Sequence, residues 1–532
     1  MTAEEFDLTT ELHAAARRLA QAFLAGAGEA ATTWLRITPG VTETTYPVGS
    51  AHFRLGTDFH QAQSELVDLL RSEASPLVVE LAVGDSGSFD LTCTADLDSA
   101  TRVVLDHGLR FPGHPLPGMA LPPAARNSGA PTDPEVLAEI SLLFNEFVQR
   151  YAEIKGRPPE LRPGCTEAEI AAAEDEIGAR LPEGLRALYR MTRDDAAETG
   201  LLGGFSPYPL DVVVEWFTTG APGSLGWNDG PFDDAVVFEP DPPGAIKRVS
   251  RNDWWITFGT DFAMNNIAID LDPGEQGSSG QVITYGRDIM GPPVLVAESV
   301  TAMLTEVVES LREEDFEDED PESDYLDSFT GFGGSGGGHE QVYHDFGDRD
   351  LAEVVSRIDD GWTAQCLYLN DAEQLDLAAL APLPDLRELS INRASAVHAR
   401  IGDLPALERA AIEAGRIDLT GLAGHPLLWD LKLAGTTDPI DIDVLRALPS
   451  LTRLDLSAVE VVDPLVRADL PGLRVLILNA WQWDRLRATD RRPAKLAAAE
   501  RVGTSSLRET AAWCEWLAQR PFRLDTWSGA VE

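Results

Sequence analysis

From Leu383 onward the chain repeats itself. The segments LPDLRELSI at 383, LPALERAAI at 404, HPLLWDLKL at 425, LPSLTRLDL at 448 and LPGLRVLIL at 470 start 21, 21, 23 and 22 residues apart. CLYL at 366–369 fits as an earlier copy, and a degenerate copy is expected around Pro493. Within each copy leucines alternate, as Leu454 and Leu456 do, and residues two apart share one face of a strand. One copy alone has nothing to bury those leucines against. Neighbouring copies must stack, and five or more make a stable array. Leu507 to Leu517 reads as a closing helix, with Trp513 and Trp516 covering the last layer.

The period is that of leucine-rich repeats, which predicts an α/β solenoid over 351–532. Alternation then places Tyr368, Glu388, Ser390, Arg409, Asp430, Lys432, Arg453, Asp455, Val475 and Ile477 on the outward face of the strands, with Asn479 and Trp481 just beyond. Mixed charge with exposed aliphatics suits a protein partner better than a phosphate polymer.

At 532 residues the chain exceeds one core, and three or four domains are expected. The 88 acidic and 42 basic residues leave a net charge of −46, which makes a nucleic-acid groove electrostatically improbable. Only four of the cations are lysine, as GC-rich coding or salt adaptation would give. By segment the charge is −8 over 1–131, −18 over 132–312, −13 over 313–350 and −7 over the remainder. Residues 313–327 hold ten acids and GFGGSGGGHE follows, so 313–350 is read as a flexible acidic linker. A softer break lies in the Pro-rich stretch 112–134. The four cysteines are far apart with no CxxC spacing, no secretory leader is apparent and no apolar run reaches membrane length, so a reduced cytoplasm is expected.

Ahead of the Pro-rich stretch, 1–125 reads as a small α+β domain of unassigned role. Helices are predicted over 12–24 and 61–70, with strands at 33–37, 52–55, 77–83 and 89–94 and a hairpin loop at Gly84–Gly87. Its ending, VVELAVGDSGSFDLTCTAD, loosely resembles mixed α/β toxin-immunity domains.

The middle third starts with a predicted helix from Pro134 to Ile154, Asp133 serving as N-cap. Thr166-Glu167-Ala168-Glu169 has capping-box spacing, so another helix starts there. A further helix is expected over Glu183–Met191, and Val300, Met303, Leu304, Val307, Val308 and Leu311 mark the last at a 3.6-residue period. Between them, Trp254, Trp255, Ile256 and Phe258 make one strand, Ile267, Ile269 and Leu271 the next, and Gln281–Tyr285 a third after an Asp-Pro-Gly turn and a Gly-Ser loop.

Taken together, PGCTEAEIAAAEDEIGARLPEGLRALYR, LLGGF and WWITFGTDFAMNNIAIDLDPGEQGSSGQVI resemble the SUKH superfamily, the yeast cell-wall assembly regulators and their bacterial relatives, over residues 132–312. After Tyr189, where relatives commonly turn at an Asn-Gly-like pair, this chain has MTRDDAAETG. The resemblance implies an α+β domain with a twisted sheet flanked by helices, acting as a binding module without a cofactor. It also implies similarity to immunity proteins in bacteria and to signalling scaffolds in fungi. Trp254, Trp255, Trp216, Trp227 and Asp270 are the candidate contact residues here, the tryptophans also being ordinary packing residues. Asp270, Asp272 and Glu275 lack the dense oxygen spacing of a Ca²⁺ loop.

Nothing in the chain supports catalysis, a cofactor or a metal. No Walker loop, dinucleotide fingerprint, HExxH or GxSxG occurs, and the nine histidines are scattered. His107 and His114 fall in a Pro-Gly loop, and pairs such as Asp194-Asp195 are commonplace in so acidic a chain. The expected function is protein binding: a cytoplasmic immunity-type protein that neutralises a basic toxin domain. The alternative is a multidomain regulatory adaptor or scaffold for endogenous protein partners. No membrane contact is expected.

Overall fold

The computed structural model describes residues 3–27, 31–38, 41–45, 56–70, 77–84, 86–97, 99–219, 231–232, 234–261, 263–287, 289, 291–318, 323–328, 342–347, 350–358, 364–462, 470–503 and 505–531. They form a multidomain α+β architecture around three sheets, one of them large and mostly parallel.

The first sheet is antiparallel, with strands in the order Val41–Thr45, Ala31–Thr38, Leu77–Val83, Ser88–Thr94 and Asp525–Ala530. Helices Ala3–Ala27 and Thr57–Leu70 cover one face through Leu19, Phe23, Phe59 and Leu66, which meet Leu35, Leu81 and Leu91. The fifth strand comes from the far end of the sequence and pairs Trp527 with Leu91. The sheet of the segment read as a small α+β domain over 1–125 thus includes a strand from outside those residues. DTWSGA carries few β-branched or apolar residues, so its strand character arises from its partner and not from propensity. The predicted strand 52–55 lies outside the described residues.

The middle of the chain folds around the second sheet, a meander ordered Val294–Ala297, Gln281–Gly286, Asn265–Asp270, Trp255–Thr260 and Ser206–Pro207. Its helices are Pro134–Lys155, Glu167–Ile177, Glu183–Met191, Leu210–Thr219 and Val300–Glu313. Asp133 caps the first, accepting from the N–H of Glu135 (2.8 Å) and Val136 (3.3 Å). Thr166 and Glu169 satisfy each other's backbone N–H reciprocally, as their spacing predicts. Phe147, Leu188, Met303 and Val307 pack on Ile256, Phe258, Ile267 and Val282 to form the core.

The acidic segment read as a linker is partly structured. Leu326 is buried in this same core and Phe316 packs against it. Around them Tyr151 donates to the Asp324 carbonyl (2.6 Å), and Lys155 pairs with Asp318 (2.6 Å). Two apolar side chains and local cations thus hold a stretch whose net charge suggests an extended tether. Val342–Phe346, also within that stretch, is a strand of the third sheet.

That third sheet has eight parallel strands in register: Val342–Phe346, Cys366–Asn370, Glu388–His398, Arg409–Asp418, Asp430–Ala434, Arg453–Asp455, Val475–Asn479 and Ala498–Val502. Gln374–Asp376 pairs beside the third of them, and Arg102–Val104 adds antiparallel at the far edge. Leu389, Leu431, Leu454 and Leu476 stack in one buried row, with Ile391, Leu433 and Leu478 in the next. Each such side chain contributes roughly 1.5–3 kcal/mol on burial. Short 3₁₀ turns at Leu377–Leu380, Thr420–Leu422 and Asp443–Ala447 carry the chain back behind the sheet. Helix Leu507–Ala518 closes the end, Trp513 lying 5.3 Å from Trp483. Its first N–H, on Leu507, is accepted by the buried carboxylate of Glu80, and Val78, Leu97 and Val103 share the parallel sheet's core. The first and third sheets are therefore packed together.

Candidate functional site

The hairpin aligns Trp255 opposite Asp270 and Ile256 opposite Ile269, with a register shift between Thr257 and Gly259. Adjacent strand residues point to opposite faces, and the two tryptophans separate accordingly. Trp254 is half-buried at the rim of the helix-packed core, its ring 6.0 Å from Phe217. Its Nε1 donates to the carbonyls of Met119 (3.2 Å) and Ala120 (3.1 Å), so it holds the Pro-rich stretch. Trp255 lies on the other face, 6.5 Å from Tyr285 and beside Ile246, Ile283 and Leu295. Trp216 is half-buried and meets Tyr208 edge-on at 4.2 Å. Trp227 lies outside the described residues.

Asp270 is enclosed, and burial pushes its carboxyl up to about 6 against hydrogen bonds from the Asp272 N–H (2.9 Å) and Gln281 Nε2 (2.9 Å). Its place is to fix the glycine loop. A Cβ on Gly274 would stand 2.1 Å from the Gly244 carbonyl oxygen, and one on Gly277 would stand 2.0 Å from that of Ala245. The loop lies flat on the 244–245 turn, with Gly274 N–H donating to Ala245 (3.0 Å) and Gln276 N–H to Gly244 (2.9 Å). After Tyr189, where the chain departs from its resemblance, buried Asp195 accepts from Thr199 N–H (3.0 Å), Thr199 Oγ1 (2.9 Å) and Ser206 Oγ (2.9 Å). It thereby organises the LLGGF turn.

Residues on either side of the 244–245 turn, Glu239 and Arg248, reach the parallel sheet. Arg248 Nη1 donates to Glu408 (2.7 Å), a carboxylate only 3 % exposed that also takes Arg387 (2.8 Å) and Trp429 Nε1 (3.2 Å). Gln365 and the Glu239 backbone exchange two hydrogen bonds, of 2.7 and 3.0 Å. Phe111 stacks on Trp429 at 4.6 Å, the Arg453 guanidinium lies 5.0 Å from both rings, and Val236, Val475 and Ala498 complete the contact. Buried His114 sits beside it, Nε2 2.7 Å from the Ala235 carbonyl. Sequence reasoning missed Glu408, Arg387, Gln365 and Arg248. The first three occupy the position just before each strand, a row the alternation argument left out.

The ladder expected to face outward does not all reach solvent: Asp430, Arg453 and Val475 are buried. Glu388, Arg409, Asp430 and Arg453 stand in register on adjacent strands with alternating sign. Arg409 reaches Asp430 at 3.1 Å and Glu388 at 3.6 Å, and Arg453 reaches Asp430 at 2.6 Å and the Asp234 carbonyl at 2.8 Å. Burial raises the Glu388 carboxyl, against the attraction of Arg409. Asp430 and Arg453 are thus enclosed by the central domain. The next row stays open: Tyr368 stacks on His344 at 4.6 Å, and exposed Lys432 approaches Asp455 at 4.0 Å. Asn479 caps helix Ala480–Ala488, and Trp481 on that helix is 49 % exposed. Among the described residues no group of histidine, cysteine and carboxylate side chains could hold a metal, and no helix is long and apolar enough to cross a membrane.

Residues 164–306 match the SMI1 / KNR4 family (SUKH-1). They form a SUKH-1 domain. The helix Pro134–Lys155 precedes the matched residues yet shares the SUKH-1 core. The chain is 35 % identical over 134 residues to the Schizosaccharomyces pombe "Cell wall biosynthesis/cell cycle regulator smi1", covering 24 % of this chain and 27 % of that protein. It is 28 % identical over 155 residues to the Saccharomyces cerevisiae "Cell wall assembly regulator SMI1", covering 23 % and 31 %. Against the Neurospora crassa "Glucan synthesis regulatory protein" it is 29 % identical over 204 residues, covering 31 % and 37 %. The chain therefore spans only about a third of the length of these curated relatives.

Proposed function

We propose that this chain is a non-enzymatic regulatory adaptor that binds endogenous protein partners. Its SUKH-1 domain and a leucine-rich-repeat solenoid serve as two platforms held in fixed relation. The observation that carries this reading is the match of residues 164–306 to a family whose named fungal members are regulators of cell-wall and glucan synthesis. The Arg248–Glu408 contact supports a rigid pair of platforms, since truncating one partner of a buried charge pair costs about 2–5 kcal/mol, and the two Gln365–Glu239 backbone hydrogen bonds support it further. Trp255, Tyr368, Lys432, Asp455 and Trp481 are the candidate contacts. The solenoid reading rests on the 21–23-residue period and on the in-register parallel strands.

Neutralisation of a basic toxin rests on the resemblance of residues 132–312 to bacterial immunity proteins and on their −18 charge, and such a charge steers any basic protein. Deleting the gene in its own host, with no competitor present, separates the two. A regulator gives a cell-envelope phenotype that the intact chain restores and a Tyr368→Ala, Lys432→Glu chain restores poorly. Normal growth, with a phenotype only under attack by a competitor, would sink the adaptor reading.

A further inference from the structure

On a chain of net charge −46, the segment from Trp481 to Lys495 has the opposite sign. Between Trp481 and Lys495 the chain places Arg485, Arg487, Arg491, Arg492 and Lys495 against two acids, Asp484 and Asp490. Both acids are engaged, Asp484 by Arg501 (3.5 Å) and Asp490 by Trp516 Nε1 (3.3 Å). Arg485, Arg487 and Lys495 are exposed and have no carboxylate partner within salt-bridge distance among the described residues. Arg485 instead lies over the Trp481 ring, 4.7 Å from its centroid, at the i+4 position that shares a helix stripe. Val502, also exposed, ends the strand that pairs with Asn479, two residues before Trp481.

The helix that carries this patch is anchored from behind. Gln482 Nε2 donates to the Leu456 (2.9 Å) and Val459 (2.6 Å) carbonyls, and Trp483 Nε1 to that of Glu500 (2.7 Å). A cation in the last helical turn offsets the helix dipole by about 0.3–1 kcal/mol. That accounts for an arginine there, but not for an exposed tryptophan stacked with an arginine that meets no carboxylate among the described residues. Tryptophan and arginine on a rigid support are the side chains that dominate protein interfaces.

We propose that Trp481, Arg485, Arg487 and Lys495 form a docking surface for an acidic protein segment, its carboxylates on the cations and an apolar side chain on the Trp481 face. The inference rests on the adaptor reading and names the chemistry of one partner. At physiological salt the Debye length is about 8 Å, so the local patch outweighs the distant negative field for a short segment. A long nucleic acid would run onto the surrounding acids.

The test is fluorescence anisotropy of the full chain with a labelled peptide of about a dozen alternating Glu and Leu residues. A Lys-Leu peptide and a thymidine oligonucleotide of similar length serve as comparisons. Saturable binding of the Glu-Leu peptide is expected, weakened at least about tenfold by Arg485→Glu with Arg487→Glu and several-fold by Trp481→Ala. Arg416→Glu, a charge change elsewhere on the exposed surface, should leave it unchanged, and all variants should keep the wild-type circular dichroism. No saturable binding, an unaffected double variant, equal loss in Arg416→Glu, or oligonucleotide binding as tight as that of the peptide would each overturn the proposal. Restoration of the deletion phenotype by the double variant would leave the adaptor reading standing while the peptide assay decides this one.

Discussion

The two antiparallel sheets of this molecule are closed in different ways. In the SUKH-1 domain every strand pairs with its neighbour in sequence, from Ser206–Pro207 to Val294–Ala297, and helices from the same region cover it. In the first sheet the strand beside Ser88–Thr94 is Asp525–Ala530, brought from the other end of the chain. The difference teaches that one unit carries its own instructions, while the other depends on the parallel sheet and helix Leu507–Ala518 to deliver its edge. Local closure confines a defect; remote closure spreads it.

The largest expected effect tests the local side. Arg186 is buried against Glu174 (2.5 Å) and Glu167 (3.0 Å) where the second and third SUKH-1 helices meet. Arg186→Ala leaves the buried Glu174 uncompensated and should cost about 3–5 kcal/mol. Urea melts should show that loss in the SUKH-1 transition, with hydrogen exchange in Leu77–Thr94 unchanged.

Next is the glycine loop's buried acid. Asp270 titrates at about 6 when folded, above its ordinary 3.8, so the folded chain keeps a proton that the unfolded chain has already lost. The stability this group contributes is therefore full below about pH 4 and fades as pH rises to about 6. Asp270→Asn removes the fade. The variant should match the wild type at pH 4 and exceed it by about 3 kcal/mol at pH 7 in urea melts at the two pH values.

Trp527→Ala probes the remote side, because its ring packs against the first sheet's core from the distant strand. It should cost about 1–2 kcal/mol, half-burial reducing the full cavity cost, and should raise hydrogen exchange in Leu77–Val83 and Ser88–Thr94 while sparing the SUKH-1 strands. A loss spread evenly over both sheets would break the comparison. The smallest effect is Thr166→Ala, which removes one capping bond and should cost about 1 kcal/mol within SUKH-1 alone.

What could be read from the sequence follows the same division. The Thr166 capping box, the Asp133 cap, the Trp254–Tyr285 strands and the leucine rows are local patterns, and each is where period and turn chemistry place it. Arg102–Val104 and Asp525–Ala530 are short, carry no alternation and gain their strand form only from partners far away in sequence. Residues 315–318 and 323–328 misled because charge dominates their composition, yet Phe316 and Leu326 pack in the SUKH-1 core. Of the candidate contacts, Glu388, Asp430 and Arg453 lie off the leucine rows, yet Asp430 and Arg453 are buried. Alternation carries no information about which part of a face another domain covers.

The remote strand also sets a timetable for synthesis. About 430 residues separate Thr94 from Asp525. At roughly 5–20 residues per second the Ser88–Thr94 edge waits about 20–90 s for its partner, while two other sheets are being made. An unpaired edge is a template for pairing with other chains. Nascent copies on one messenger are thus exposed to one another through this edge, and a chaperone or slow neighbour spacing on the polysome has most to protect there.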